Sequence, residues 1–167
     1  MSTLIYKGQL EADPYVELDD ATAVEFGGHF IVSMARWRKD YSPLSISGSR
    51  IGVRIPNTVE IAHDWMILAR LPLIVLEFPS FADGRAYSQA RTLTERCGYE
   101  GELRATGAAV VEDQIQFMLR CGFNSFELRA DQDPEACLRA MHTFSLAYQR
   151  AADTIEPVFA RRRAQSA

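Results

Sequence analysis

The stretch LIVLEF at residues 73–78 opens the part of the chain that decides the fold. Two more short apolar runs, at residues 102–105 and 125–128, follow it, and a helix-like segment fills each gap. Such β-α-β-α-β alternation predicts parallel neighbouring strands, because each helix carries the chain back to the edge where the strand began. Apolar runs at residues 30–34 and 51–55 extend the pattern toward the N-terminus. The sequence therefore predicts an α/β fold with a mainly parallel sheet of about five strands.

Two ways of closing this sheet fit the pattern equally well. One is an open sheet with helices on both faces, and the other is a half-barrel-like arrangement of consecutive βα units. Because both bury the strands, the hydrophobic pattern does not separate them. We expect a single α/β domain over residues 1–167, with an N-terminal extension at 1–28 and a frayed, solvated tail at 160–167. Within the extension, residues 4–6 and 15–18 predict the two strands of a loose β-hairpin.

Capping residues predict where several helices start. Asn57 and Glu60 have the spacing of a capping box. Asp83 is a candidate N-cap for the helix that follows the third strand. Asp133, which is followed by proline, begins the last long helix, and we expect this helix to reach Tyr148 with that side chain facing the sheet.

Composition and charge indicate an ordinary globular protein. Hydrophobic residues make up 47% of the chain and charged residues 24%. The net charge of −4 argues against a nucleic-acid-binding protein, which usually carries a basic face. The longest apolar run, at residues 71–76, contains Pro72 and is too short to span a bilayer. The N-terminus does not resemble a secretory signal, and the three cysteines are widely spaced, so we expect a cytoplasmic protein that binds neither nucleic acid nor membrane.

No fingerprint of a cofactor, metal or catalytic nucleophile occurs in the sequence. The glycines never form the G-x-G-x-x-G turn of dinucleotide-binding sheets, and Cys97, Cys121 and Cys137 are too dispersed for an iron–sulfur cluster. The histidines lack metal-ligand spacing, and no serine lies in a G-x-S-x-G elbow. We therefore expect no cofactor and no metal site, and whether the protein is an enzyme stays open.

Charged side chains follow the predicted strands at their carboxyl ends, where open parallel sheets bind ligands. Arg85, Arg104 and Arg129 lie near equivalent edges of three successive strands, so we expect their guanidinium groups to converge. Guanidinium suits bidentate recognition of carboxylate, phosphate or sulfur oxyanions. The predicted anion-binding rim consists of Asp83, Gly84, Arg85, Tyr87, Ser88, Arg104, Gly107, Glu127 and Arg129.

The alternative interpretation of these arginines is structural. Arg104 would then pair with Glu77 and Glu127, because charges removed from water must be paired. Arg85 would pair with Asp83 in the same way. The spacing of the residues does not decide between the two interpretations.

Four sequence blocks resemble an uncharacterised bacterial family. The first, FPSFADGRAYS at residues 78–88, is similar to the family pattern F-x-x-F-x-D-G-R-x-Y-S. The other three lie at residues 98–105, 120–128 and 143–149. Members of that family are labelled probable oxidoreductase involved in sulfite reduction, because their genes lie beside that of assimilatory sulfite reductase.

One position departs from the pattern of this family. The family usually has an acidic residue directly after the glycine of a G-D motif, whereas Gly107 is followed here by Ala108. If that acid has a role in the family, this chain either lacks it or uses Glu112 or Asp113 instead.

Two functional hypotheses follow from these observations. The resemblance implies an accessory protein of assimilatory sulfite reduction, which binds or serves sulfite reductase or its electron donor without a redox centre of its own. The alternative is a small enzyme or binding protein for an anionic metabolite, which uses the arginine rim. An exposed aromatic patch from Trp37, Tyr41, Trp65 or Phe159 would favour the first hypothesis, and a concave pocket at the rim would favour the second. The oligomeric state stays open.

Overall fold

A computed structural model describes residues 3–144, 146–153 and 155–165 of the chain. Within these residues, eight strands form one sheet that is open and curled like half a barrel. In chain order the strands are β1 (Thr3–Tyr6), β2 (Gln9–Glu11), β3 (Val16–Glu17), β4 (His29–Ser33), β5 (Arg50–Ile55), β6 (Leu73–Phe78), β7 (Glu102–Gly107) and β8 (Ser125–Leu128).

The helices lie mostly between successive strands of this sheet. They are α1 (Met34–Lys39), α2 (Tyr41–Ser45), α3 (Ile61–Leu68), α4 (Arg85–Arg91), α5 (Glu112–Arg120), α6 (Pro134–Ala140) and α7 (Val158–Gln165). A short π-helical turn, Thr92–Arg96, continues α4. This arrangement confirms the mixed α/β class that the alternation of apolar runs predicts.

The order of strands across the sheet is β2-β1-β8-β7-β6-β5-β4-β3. From β3 to β8 each strand pairs in parallel with the next, so the predicted parallel pairing of the 73–78 and 102–105 strands is confirmed. When strands that are consecutive in the chain are also neighbours in the sheet, and their connections all have the same handedness, the connecting helices lie on one face of the sheet. The observed closure is therefore the half-barrel-like one. The predicted number of about five strands is too low, because β1, β2 and the short β3 join the five predicted ones.

The N-terminal hairpin forms with a different second strand from the predicted one. Strands β1 and β2 pair antiparallel, and the turn Lys7-Gly8 connects them. Both turn residues have positive φ, as a two-residue hairpin turn requires. The predicted partner at residues 15–18 lies instead at the opposite edge of the sheet, where β3 pairs in parallel with β4. The tight turn decides the pairing, because the strand that follows it directly is the nearest partner.

Three predictions about helix ends need correction. Helix α3 begins at Ile61 without a side-chain cap, because a turn closed by the Val59 N–H and the Pro56 carbonyl precedes it, so the capping box is wrong. Asp133 does cap α6, but this helix ends at Ala140. Bonds from residues 142 and 143 to carbonyls three positions earlier tighten the last turn and end it. The predicted tail at 160–167 continues α7 as far as residue 165, and residues 166 and 167 lie outside the described part.

The two faces of the sheet have different environments. On the helix-covered face, Ile74, Leu76 and Phe78 of β6 belong to the main hydrophobic core. The alternate residues Leu73 and Val75 point to the inner face, where they form a small separate cluster that Tyr15 covers. The loop between β2 and β3 therefore lies across the inner face, and the helices cover only the outer one.

Candidate functional site

The carboxyl ends of β5 and β6 frame an open cleft on the helix-covered side of the sheet. Its volume is about 320 Å³, and it is lined by the loop that follows β5 and by α4 with its π-helical continuation. Because β5 and β6 are neighbouring parallel strands, their two following segments start at the same edge. We call this feature the Asn57–Gln89 cleft, after the two buried amide side chains that line it.

Gln89 ties the two walls of the Asn57–Gln89 cleft together. From α4, its Nε2 donates hydrogen bonds to the carbonyl oxygens of Pro56 at 2.9 Å and Val59 at 2.8 Å. These two bonds orient the amide, because a flipped Oε1 would face two other acceptors. The Oε1 atom is buried and has no hydrogen-bond partner among the described residues.

Asn57 is the second buried amide of the cleft. Its side chain is 7% exposed, and its Nδ2 makes no hydrogen bond of good geometry with a described residue. The Arg85 guanidinium, and to a lesser extent the Asn57 amide, hold the pKa of the Asp83 carboxyl well below its usual range. Asn57 therefore lies near an ionised carboxylate that Arg85 already engages.

Arg85 and Asp83 form the salt bridge that the structural interpretation predicts. The Arg85 Nη2 lies 2.6 Å from Asp83 Oδ2, and its Nε lies 3.0 Å from Oδ1. The Asp83 carboxylate also accepts the Arg85 backbone N–H, although Gly84 holds the N-cap position of α4. Both Arg85 and Ser88 line the Asn57–Gln89 cleft, so this part of the predicted rim does border a concavity.

Arg104 lies on the inner face of β7 and is fully buried. Its Nη1 lies 2.6 Å from Asp13 Oδ2, and its Nη2 lies 2.8 Å from Glu102 Oε1. The predicted partners are wrong. Glu77 lies 3.6 Å from Arg54, and Glu127 accepts a hydrogen bond from Thr106 at 2.9 Å. Since a buried and doubly paired guanidinium does not reach an open rim, the expected convergence of the three arginines does not include Arg104.

Arg129 stabilises the connection between β7 and α5. Its Nε and Nη2 bind the Asp131 carboxylate at 3.0 and 2.7 Å, and its Nη1 donates to the carbonyl oxygen of Ala108 at 3.0 Å. Ala108 is the position where the resembled family usually has an acid. The preceding Gly107 has a φ of +102°, and a Cβ there would overlap the Phe78 carbonyl oxygen. Glycine is therefore required at the end of β7.

A larger cleft, of about 660 Å³, lies beside the start of α5. Glu112 and Asp113, the acids that could replace a side chain at position 108, both line this cleft. Gln132 closes one side of it, and its Oε1 accepts the Glu112 backbone N–H at 3.0 Å. The two acids and Gly107 do not line the Asn57–Gln89 cleft, so the predicted rim residues are divided between separate places.

An exposed aromatic patch adjoins this larger cleft. We define it by four residues that line one surface depression: Phe117, Phe144, Leu146 and Tyr148. Phe144 is 66% and Tyr148 86% exposed, which contradicts the predicted helical, sheet-facing position of Tyr148. On the inner side of the patch, the rings of Tyr87 and Phe117 have centroids 4.8 Å apart.

The aromatic side chains that the sequence suggests for a patch lie elsewhere. Trp37 is buried and donates its Nε1–H to the Ile67 carbonyl at 3.0 Å, and Trp65 packs against the core. Tyr41 and Phe159 are partly exposed but do not line the patch. A signal for the patch exists in the apolar residues of block 143–149, of which the predicted helix places Tyr148 against the sheet.

The three thiols are not activated. Cys121 and Cys137 are buried and Cys97 is half-buried. Burial raises the pKa of all three thiols. The thiolate, which is the reactive form, is therefore scarce at neutral pH.

The described ranges contain neither a cluster of metal-ligating side chains nor a membrane-spanning helix. Within residues 3–144, 146–153 and 155–165, no three His, Cys, Asp or Glu side chains gather in a way that suits a metal ion. In the same ranges, no helix has the length and apolar character needed to cross a bilayer.

Comparison with known proteins assigns the chain to a family. Neither the curated proteins nor the solved structures include a match. Residues 52–159, which run from β5 into α7, match the family described as "Bacterial protein of unknown function (DUF934)". Because this match covers more than half of the chain, the protein belongs to the DUF934 family of bacterial proteins of unknown function.

Proposed function

We propose that the protein is an accessory component of assimilatory sulfite reduction, and that it binds sulfite reductase or its electron donor. The resemblance of four sequence blocks to the family labelled with that process supports the proposal. The fourth block, residues 143–149, carries three of the four residues of the aromatic patch. The block that contributes to the resemblance is thus also the one that presents apolar side chains to solvent.

The exposed aromatic patch is the observation that carries this proposal. A contiguous group of large apolar side chains on a surface is typical of a protein interaction site, and buried aromatic anchors often supply most of the binding energy. Phe144 and Tyr148 expose most of their surface, so a partner that covers them removes apolar area from water.

The segment that carries the patch is held against α5 by polar contacts. Arg120 Nη2 donates to the Gln149 carbonyl at 2.7 Å, and its Nη1 lies 3.5 Å from Asp153. Gln116 Nε2 donates to the Phe144 carbonyl at 3.3 Å. These contacts position the segment before a partner binds, which reduces the entropy lost on binding.

The proposed role requires no redox group in the chain itself. An accessory protein of this kind orients the reductase and its donor, and the partners carry the electrons. The contribution of this chain is then binding and orientation, which the patch supplies.

Affinity capture from the native cell tests the proposal. The tagged protein should retain a fraction that has sulfite-reductase activity, or that donates electrons to the purified reductase. Replacing Phe144 and Tyr148 together by serine should abolish this retention. Met66→Ser is the matched control, because Met66 is also a highly exposed apolar residue but lies on α3, outside the patch. Equal retention by all three proteins, or no activity in any eluate, would contradict the proposal.

A growth experiment tests the process independently of the patch. Deleting the gene should impair growth on sulfate or sulfite and leave growth on cysteine normal. Normal growth of the deletion strain on sulfite as sole sulfur source, in the absence of a second copy, would count against a role in sulfite reduction.

A further inference from the structure

Two buried amide side chains that line the Asn57–Gln89 cleft each contain one unsatisfied atom, and neither residue belongs to the aromatic patch. Gln89 is 6% exposed and its Oε1 lacks a donor, whereas Asn57 Nδ2 lacks an acceptor of good geometry among the described residues. Buried polar groups are nearly always hydrogen-bonded in folded proteins, since an unsatisfied one destabilises the fold. One acceptor and one donor left open in a single cleft therefore indicate a ligand that supplies the complementary groups.

The fold gives these two atoms defined orientations. Both donors of the Gln89 amide bind carbonyl oxygens of the loop that follows β5, so Oε1 is available only as an acceptor. Asn57 lies on that same loop, at the carboxyl end of β5. The helical wall of the cleft thus contributes a side chain with an unsatisfied acceptor, and the loop wall contributes one with an unsatisfied donor, at the edge where parallel sheets bind ligands.

Positive charge surrounds the cleft on the helical side. Arg96 lines it, is exposed, and makes no hydrogen bond or ion pair with a described residue. Arg85 also lines it, and the bonds to Asp83 use its Nε and Nη2, which leaves Nη1 for another acceptor. Glu60, on the loop wall, is the acid among the lining residues. Two guanidinium groups beside an open amide donor favour an anionic group.

We infer that the Asn57–Gln89 cleft binds a small metabolite in which an anionic group lies next to a hydrogen-bond donor. The anion, a carboxylate or a sulfur or phosphorus oxyanion, binds Arg96, Arg85 and Asn57 Nδ2. The donor, a hydroxyl or ammonium group, binds Gln89 Oε1. A volume of about 320 Å³ is at the small end of ligand pockets, which favours a small metabolite over a large cofactor.

Matched compounds that carry the anion on a two-carbon chain measure whether the anion and the hydrogen-bond donor of the ligand both contribute to binding. The probes are the ethyl, 2-hydroxyethyl and 2-aminoethyl forms of a carboxylate, a sulfonate and a phosphate, with binding measured by calorimetry on the full chain. In at least one anion series, the hydroxyl or amino member should bind about tenfold more tightly than the ethyl member, the factor expected for one added hydrogen bond of average strength. The series that binds most tightly identifies the anion. Absence of binding by all nine compounds, or equal binding within every series, would overturn the inference.

Arg96→Gln tests the anion contact without disturbing the core. It should weaken the best probe about tenfold or more, because one charge-assisted hydrogen bond is lost. Arg91→Gln is the matched control, since Arg91 is an exposed arginine one turn earlier that pairs with Glu95 and does not line the cleft. Equal binding by the two variants would contradict the assignment of Arg96.

Asn57→Leu separates a ligand contact from a structural contact. If Asn57 serves the ligand, this change to an apolar side chain that branches at the same carbon should abolish probe binding and leave the melting temperature unchanged or raised, because it removes an unsatisfied buried amide. A large fall in melting temperature with unchanged probe binding would show that the amide is structural and would overturn its assignment. Neither outcome depends on the aromatic patch, so this inference and the proposed function fail independently.

Discussion

Arg104 Nη1 lies 2.6 Å from Asp13 Oδ2, and this contact joins the middle of β7 to the loop between β2 and β3. Glu102 binds the same guanidinium group, and the Tyr15 ring covers it with 5.7 Å between the ring centroid and the guanidinium carbon. Burial by itself lowers the pKa of Arg104, but the hydrogen bonds that the guanidinium donates to Asp13 and the charge of Glu102 outweigh burial and raise the pKa above its usual value. The guanidinium therefore stays charged and holds the N-terminal loop on the inner face of the sheet.

Replacing Arg104 by methionine should destabilise the protein by about 3–5 kcal/mol, the range seen when one member of a buried ion pair is removed. The methionine retains much of the apolar stem, so the loss reports mainly the charge. Both Asp13 and Glu102 would remain largely buried without their counter-ion. Urea unfolding of the variant and the unmodified protein measures the difference.

Arg85→Met is the control for this change. The Arg85–Asp83 pair is exposed, so its loss should leave the urea midpoint almost unchanged. Similar midpoints for Arg85→Met and Arg104→Met would show that the buried ion-pair network contributes little.

Changing Gly107 to alanine should destabilise the protein more than changing Gly8 to alanine. Both glycines have positive φ, which costs an alanine about 1–2 kcal/mol. A Cβ at position 8 has no neighbour within 4 Å, whereas a Cβ at position 107 overlaps the backbone of Phe78. Thermal unfolding compares Gly8→Ala, which introduces backbone strain alone, with Gly107→Ala, which introduces the same kind of strain and a steric clash. A smaller fall in melting temperature for Gly107→Ala than for Gly8→Ala would refute the close contact between β6 and β7.

Alkaline pH should destabilise the folded protein through Tyr87. Burial, with smaller contributions from Cys121 and Asp113, raises the pKa of Tyr87 from 10.0 to about 12. Between these values the unfolded chain has released the phenolic proton and the folded chain has not, so the free energy of unfolding decreases as pH rises through this window. Below the lower value this group contributes no pH dependence. Urea unfolding at about pH 9 and at about pH 11 measures the decrease.

Tyr87→Phe provides the comparison for the alkaline effect. The variant loses the hydrogen bond from the Tyr87 hydroxyl to Gln114 Oε1, of 3.1 Å, at both pH values, so that loss cancels in the comparison. Its stability should decrease less between the two pH values than that of the unmodified protein. An equal decrease in both proteins would mean that Tyr87 ionises as readily in the folded state as in the unfolded state.

Local sequence patterns predict a large part of the fold. The five strands β4 to β8 and their parallel pairing follow from apolar runs that alternate with helix-like segments, and the structure confirms them. Asp133 marks the start of α6 because capping is an interaction between residues near in sequence. The salt bridge between Asp83 and Arg85 is predictable for the same reason, since only two positions separate the residues.

The features that sequence patterns do not predict depend on segments distant in the chain. The partner of Arg104 is Asp13, which lies 91 positions earlier, and nothing in the local pattern of either residue indicates the other. The position of β3 at the far edge of the sheet depends on the tight turn that makes β2 the hairpin partner of β1. The exposure of Tyr148 depends on where α6 ends.

The sequence by itself determined the five strands β4 to β8, their order along the chain and their parallel direction, because turn chemistry and side-chain periodicity act over a few residues. Only the tertiary structure decided which arginine is buried, which aromatic residues are exposed, and that Asn57 and Gln89 meet in one cleft. Burial and hydrogen-bond satisfaction depend on all the neighbours that the fold assembles around an atom. The Gln89 amide is therefore buried and oriented only because α4 packs against the loop that follows β5.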